Sequence, residues 1–313
     1  MRGRLLSWTI IFALLAAGFG ATVLALNSSL YSAGGFVRSY LETLQRGDVD
    51  AVLAIDGVGM PETARADLMA DGVLGGFDGI RLLSDVVHEG VHTVRYTYTI
   101  DGAEQVSQFA VERAGTRFGL FPIWRFSVSP VATLAVTVDH DARFTANGVE
   151  ATSGDYAVLV PARVTLGHDT EWLEALDTTV AVTEVTSTVP AVVEVAPKEG
   201  FAPAATAAIA SYLDECATQT VLQPTGCPFG TTVANRLKGS PAWSLVAYPE
   251  AQLNTTDTPG TWQTQRATGT AHIIADVVSL FDGTTSRLDE DVNFAGTYLI
   301  VVGLDDSLSV SLG

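Results

Sequence analysis

The sequence predicts an α+β protein: an N-terminal transmembrane helix, a domain of helices followed by hairpins, a small β-sandwich, and a closing segment in which a helix again precedes strands. Three observations carry that reading. Leu5 to Leu26 is an uncharged apolar run of 22 residues behind Arg2 and Arg4. The spacing of apolar residues then changes from near four to two at Ile80, where a helical pattern gives way to alternation. Past Gly200 the same succession recurs, an alanine-rich stretch followed by strand-like text.

The apolar run, "LLSWTIIFALLAAGFGATVLAL", covers about 33 Å as a helix, enough to cross a hydrocarbon core of about 30 Å. Two readings fit it: an uncleaved signal anchor, or a cleaved signal peptide with Val23-Leu24-Ala25 near the cut. The run is longer than the usual apolar region of a signal peptide, which favours the anchor. In either case the two arginines hold the N-terminus in the cytoplasm and send the rest across the membrane. Residues 1–4 are then a cytoplasmic stub, 5–26 the anchor, and 27–35, "NSSLYSAGG", a tether.

With Arg2 and Arg4 set aside, 15 basic residues face 35 acidic ones, a net charge of −20. Such a surface repels polyanions, so nucleic acid is not an expected partner and an anionic lipid surface is disfavoured. The charge suits a cationic partner, or serves only to keep the exported part soluble. Cys216 and Cys227 are the only cysteines. Their spacing fits neither a redox C-x-x-C pair nor a zinc knuckle, and an even number outside the membrane predicts one disulfide, with two buried free thiols as the alternative.

In residues 36–130, "FVRSYLETLQRGDVDAVLAI" sets Phe36, Val37, Tyr40, Leu41 and Leu44 at helical spacing, with Gly47 as the stop. Asp48 caps a second helix through Ile55, and a third is expected over Pro61 to Met69, with proline in its first turn. From Ile80, four strands are separated by Glu89-Gly90, Asp101-Gly102 and Ala114-Gly115, of which Asp-Gly is the strongest hairpin signal. Residues 131–200 read as short alternating strands with a further turn at Asn147-Gly148. Residues 201–313 open with a helix from Pro203 to Ala217.

The helices followed by a meander resemble the nuclear-transport-factor-2-like (cystatin-like) superfamily, in which N-terminal helices pack into a curved sheet. The resemblance covers about a third of the chain and implies either a non-catalytic module or a ligand pocket in the concave face. Tyr40, Tyr96, Tyr98 and Trp124 would line that pocket; a large cavity with a buried Asp48 or Asp78 facing it would favour the pocket, and a filled core the non-catalytic module. Segment 131–200 resembles small β-domains of surface proteins, and the last segment resembles a second cystatin-like unit. The whole plan is similar to membrane-anchored envelope proteins of high-GC Gram-positive bacteria. The resemblance implies a single-pass ectodomain that works by interaction or sensing, with another envelope component as partner. The alternative is binding of a small apolar or lipid ligand, or residual isomerase or hydrolase chemistry, in the first domain.

His88-Glu89-Gly90-Val91-His92 matches the H-E-x-x-H zinc pattern, which requires both histidines on one helical face. Gly90 and the β-branched residues after it oppose a helix. A hairpin turning at Glu89-Gly90 would pair His88 with Val91 and Val87 with His92, placing the histidines on opposite faces. Asp289, Asp291 and Asn293 alternate as in a calcium loop, but Phe294 and Ile300 stand where an EF-hand needs glycine and glutamate, so a plain acidic loop is expected, with a looser calcium site as the alternative. His140-Asp141 and His168-Asp169 put imidazole beside carboxylate without a nucleophile in view. No catalytic residue, cofactor or metal is therefore expected.

Overall fold

The computed structural model describes residues 2–69 and 76–313. The chain is a mixed α+β structure with a mostly-sheet body and one N-terminal apolar helix. It divides into two units, Met1–Thr137 with Thr145–Gly167 and Asp177–Val192, and Val138–Phe144 with His168–Leu176 and Val193–Gly313.

The first unit begins with α1 (Arg2–Ser28), whose segment Ile11–Ser28 is long and apolar enough to span a membrane. The tether expected at 27–35 is mostly helix, because only residues 29–32 separate α1 from α2 (Ala33–Gln45). Ser32 explains the early start of α2: its hydroxyl accepts from Gly35 N at 2.9 Å and satisfies one free amide of the first turn. Val37, Tyr40, Leu41 and Leu44 form its buried stripe. Asp48 caps α3 (Val49–Leu53) through Ala51 N at 3.1 Å.

The third helix expected at Pro61–Met69 does not form. Arg65 instead bridges to a strand, donating its amide to Asp155 O and accepting from Ala157 N, each at 2.8 Å. A tertiary ladder thus takes the backbone groups that a helix would have used internally.

Strands β1 (Asp78–His88), β2 (Val91–Ile100), β3 (Ala103–Arg117) and β4 (Phe121–Phe126) form an antiparallel sheet in chain order. The first two turns lie where expected, and Glu89-Gly90 and Asp101-Gly102 all have positive φ. The third does not. Ala114-Gly115 is a register shift inside β3, and the chain reverses at Phe118-Gly119, with φ of 56° and 68°. An extra residue on one strand is accommodated as a bulge, which a glycine permits without ending the ladder.

Residues 131–197 supply β5 (Val131–Asp139), β6 (Arg143–Ala146), β7 (Val149–Thr152), β8 (Gly154–Leu159), β9 (Ala162–Asp169), β10 (Leu173–Val182), β11 (Thr188–Glu194) and β12 (Ala196–Pro197). They form a three-stranded sheet, β11-β5-β8, and a five-stranded one, β12-β10-β9-β6-β7. Asn147-Gly148 makes the expected turn between β6 and β7.

The second unit contains α4 (Phe201–Ala217), followed by β13 (Arg236–Leu237), β14 (Ala242–Ala247), β15 (Leu253–Thr255), β16 (Thr261–Thr264), β17 (Ala267–Val278), β18 (Thr285–Gly296), β19 (Tyr298–Val302) and β20 (Leu308–Leu312). Strands β13 and β14 lie along one side of β17 and β18 along the other, while β15-β16-β19-β20 form a separate sheet. Gly269 has to be glycine because a Cβ there would stand 2.3 Å from the Phe294 ring. Helix α4 buries Phe201, Ala205, Ile209, Leu213 and Cys216. A disulfide joins Cys216 to Cys227 across a separation of 11 residues. Closing a loop of that length contributes about 3 kcal/mol by restricting the unfolded chain.

Candidate functional site

All four aromatics expected to line a pocket belong to the buried core, and only Trp124 also borders an open hollow. Tyr40 is fully buried, with its ring edge-on to Phe109 and Phe126 at 5.8 and 5.1 Å and its hydroxyl donating to Val160 O at 2.6 Å. Tyr98 bonds Ser107 Oγ at 2.5 Å, and Ser107 donates onward to Thr183 O. Tyr96 donates to Gly34 O at 2.9 Å. Burial raises the pKa of all three, that of Tyr98 to about 12, so these phenols stay neutral. Asp48 and Asp78 do not face a buried hollow. Both are exposed, one capping α3 and the other accepting from Gln45 at 3.0 Å.

Trp124 differs from the tyrosines. Its indole N–H donates to Tyr31 O at 2.8 Å, and its ring borders an open hollow of about 420 Å³. Leu30, Phe36, Ile123 and Arg117 line the same hollow, which therefore sits beside the C-terminal end of α1. An apolar wall with one cation suits an amphiphile better than a polar metabolite. Sequence reasoning missed this hollow because it depends on the displaced β3–β4 turn.

The H-E-x-x-H tract is the expected hairpin, with Val87 opposite His92 and His88 opposite Val91. His92 shares a face with Val87, bonds Asp85 at 2.7 Å and lies edge-on to Trp124 at 4.8 Å. His88 takes the other face and is exposed. Asp289, Asp291 and Asn293 lie on β18, so the expected acidic loop is a strand. Asp289 and Asp291 flank His272 at 3.2 and 2.7 Å. Among the described residues no group of three or more His, Cys, Asp or Glu side chains is arranged to hold an ion.

Of the two His-Asp dipeptides, the imidazole of the second meets the carboxylate of the first. His168 lies 3.3 Å from Asp141, which also binds Arg143, while Asp169 pairs with Lys198 at 2.5 Å and His140 packs against Trp262. His168 Nδ1 is bonded to Arg143 O at 2.9 Å, and both His168 and Asp141 are buried. An imidazole held this way has no path to a substrate and works as a structural group.

Burial is the main cause that lowers the His168 pKa, with the Asp141 carboxylate opposing it. The unfolded chain, where imidazole titrates near ~6.5, therefore takes up the proton first as pH falls. The stability contribution is complete above that value and is lost as pH drops toward the lower folded one. The urea midpoint of the second unit should accordingly fall between pH 7.5 and pH 5, and His168→Gln should flatten that slope. An unchanged slope in the variant would exclude His168 as its source.

No protein family, curated protein or solved structure matches this chain.

Proposed function

We propose that the protein is a single-pass envelope protein whose part beyond the anchor is a non-catalytic interaction module, docking another envelope protein. The observation that supports this best is the free edge formed by β1. Among the described residues this eleven-residue strand is paired on one side only, with Leu82, Leu83, Val86 and Val87 each more than half exposed. Edge strands are normally short, charged or covered, because their open amides and carbonyls recruit another strand. A partner that adds an extended segment here gains main-chain hydrogen bonds, and its apolar side chains meet those of β1. A photoreactive residue in place of Leu83 or Val87, in the full chain in native membranes, is expected to give one discrete protein adduct. Its absence from both positions would sink the interaction reading.

A second reading, a bound lipid or small apolar ligand, draws on the hollow beside Trp124 rather than on the filled sheet interior. A lipid or apolar ligand should then stay with the full chain after exchange into a lipid-free detergent, and Ile123→Asp should abolish its retention.

A further inference from the structure

The geometry points to a second membrane contact: the β3–β4 turn, through Phe118 and Leu120 and together with Leu30, sits in the outer-leaflet interface and fixes the first unit against the bilayer. This inference rests on the reading of α1 as a membrane anchor.

The level of the turn relative to the membrane follows from the sequence. The apolar run ends at Leu26 and the polar Asn27-Ser28-Ser29 follows, so the hydrocarbon boundary falls at that point of α1. Asn27 Nδ2 donates to Leu120 O at 2.9 Å, which places the turn at the same height. Two further contacts hold it there. The Tyr31 ring lies 4.5 Å from that of Phe121, and Trp124 is bonded to Tyr31 O. Tyr and Trp are the residues that favour the headgroup layer, each with an apolar body and a polar tip.

The turn itself is built unlike the others in this sheet. Glu89-Gly90 and Asp101-Gly102 place polar residues at the first positive-φ position, whereas the β3–β4 turn places Phe118 there, at φ 56° and 86% exposed. An aromatic residue in left-handed backbone is strained and gains no packing within the protein. Leu120 beside it and Leu30 across from it are also exposed, at 43% and 71%. These side chains lie next to the end of a helix that a bilayer would surround, so lipid covers them at no further cost in water-exposed area. Arg117 adjoins them and stands where a lipid phosphate would meet it. The net negative charge of the ectodomain opposes broad adhesion to anionic lipid, so the contact is confined to the turn and is mainly apolar.

Because Cys216 and Cys227 are joined, Phe118→Cys introduces the single free thiol of the chain. An environment-sensitive fluorophore on that thiol, in the full chain reconstituted in phosphatidylcholine vesicles, is expected to lose emission when the lipid is replaced by its brominated form. The loss should approach that of a label at Leu14→Cys in α1. A label at Ala103→Cys, at the far end of the same fifteen-residue strand and about 45 Å away, should not respond. Leu120→Cys serves as an independent second position and should behave like position 118. If the labels at 118 and 120 respond only to aqueous iodide while the Leu14 label is lipid-quenched, the second contact is wrong and the anchor stands. If the Leu14 label is also water-exposed, the anchor reading fails and this inference fails with it.

Discussion

Asp141→Ala is expected to destabilise the second unit by about 3 kcal/mol, the low end for removing one partner of a buried ion pair. The Asp141 side chain is 6% exposed and serves several donors at once. Its Oδ1 accepts from the amides of Ala142 and Arg143 at 2.6 and 3.2 Å, and its Oδ2 accepts from Arg143 Nη2 at 2.9 Å. Truncation leaves two amides and part of a guanidinium without acceptors at a buried position. The loss is held to the low end because Asp306 still takes Arg143 Nη1 at 2.9 Å. Asp306 is itself fixed, since its carboxylate accepts from Glu171 N and its carbonyl from Trp172 Nε1. Urea unfolding read through amide exchange in β16 and β19 is the measurement. A loss for the variant within about 0.5 kcal/mol, the range of an ordinary surface substitution, would show that the cluster is solvated in practice.

The parts of the fold legible in the sequence are those set by a few adjacent residues. Glu89-Gly90, Asp101-Gly102 and Asn147-Gly148 turn where they are expected to, because each pair tolerates positive φ and is flanked by alternating strands. The stripe of Val37, Tyr40, Leu41 and Leu44 likewise announces α2. What was not legible depends on distant partners. Nothing local in Arg65 shows that Asp155 and Ala157 will take its backbone groups and cancel a helix. Ala114-Gly115 has turn composition, yet it is the bulge, while Phe118 carries the φ that a phenylalanine normally avoids. The candidate hollow was hidden for the same reason, since Trp124 meets it only after that turn is displaced. His168 and Asp141 each neighbour the wrong partner along the chain, and only tertiary pairing separates them from Asp169 and His140.

Tyr40→Ala decides between a pocket and a core at the centre of the first unit. A tyrosine lining a ligand hollow is partly solvated in the free protein, and truncating it alters ligand retention with little change in stability. A tyrosine enclosed by Phe109, Phe126 and the Val160 carbonyl leaves a cavity that the surrounding sheet and helix cannot close, and such truncations cost about 3–5 kcal/mol. The structure leads to the second outcome, seen as a lowered urea midpoint and faster exchange of the β2 and β3 amides that face α2. Tyr40→Phe separates the two components of that loss. It keeps the ring packing and removes the donor to Val160 O, so the expected cost is about 1–3 kcal/mol, that of a buried carbonyl left unpaired. A Tyr40→Ala protein as stable as the parent would mean that water or a ligand already occupies the space, and the filled interior that directs attention to β1 and to the β3–β4 turn would have to be abandoned.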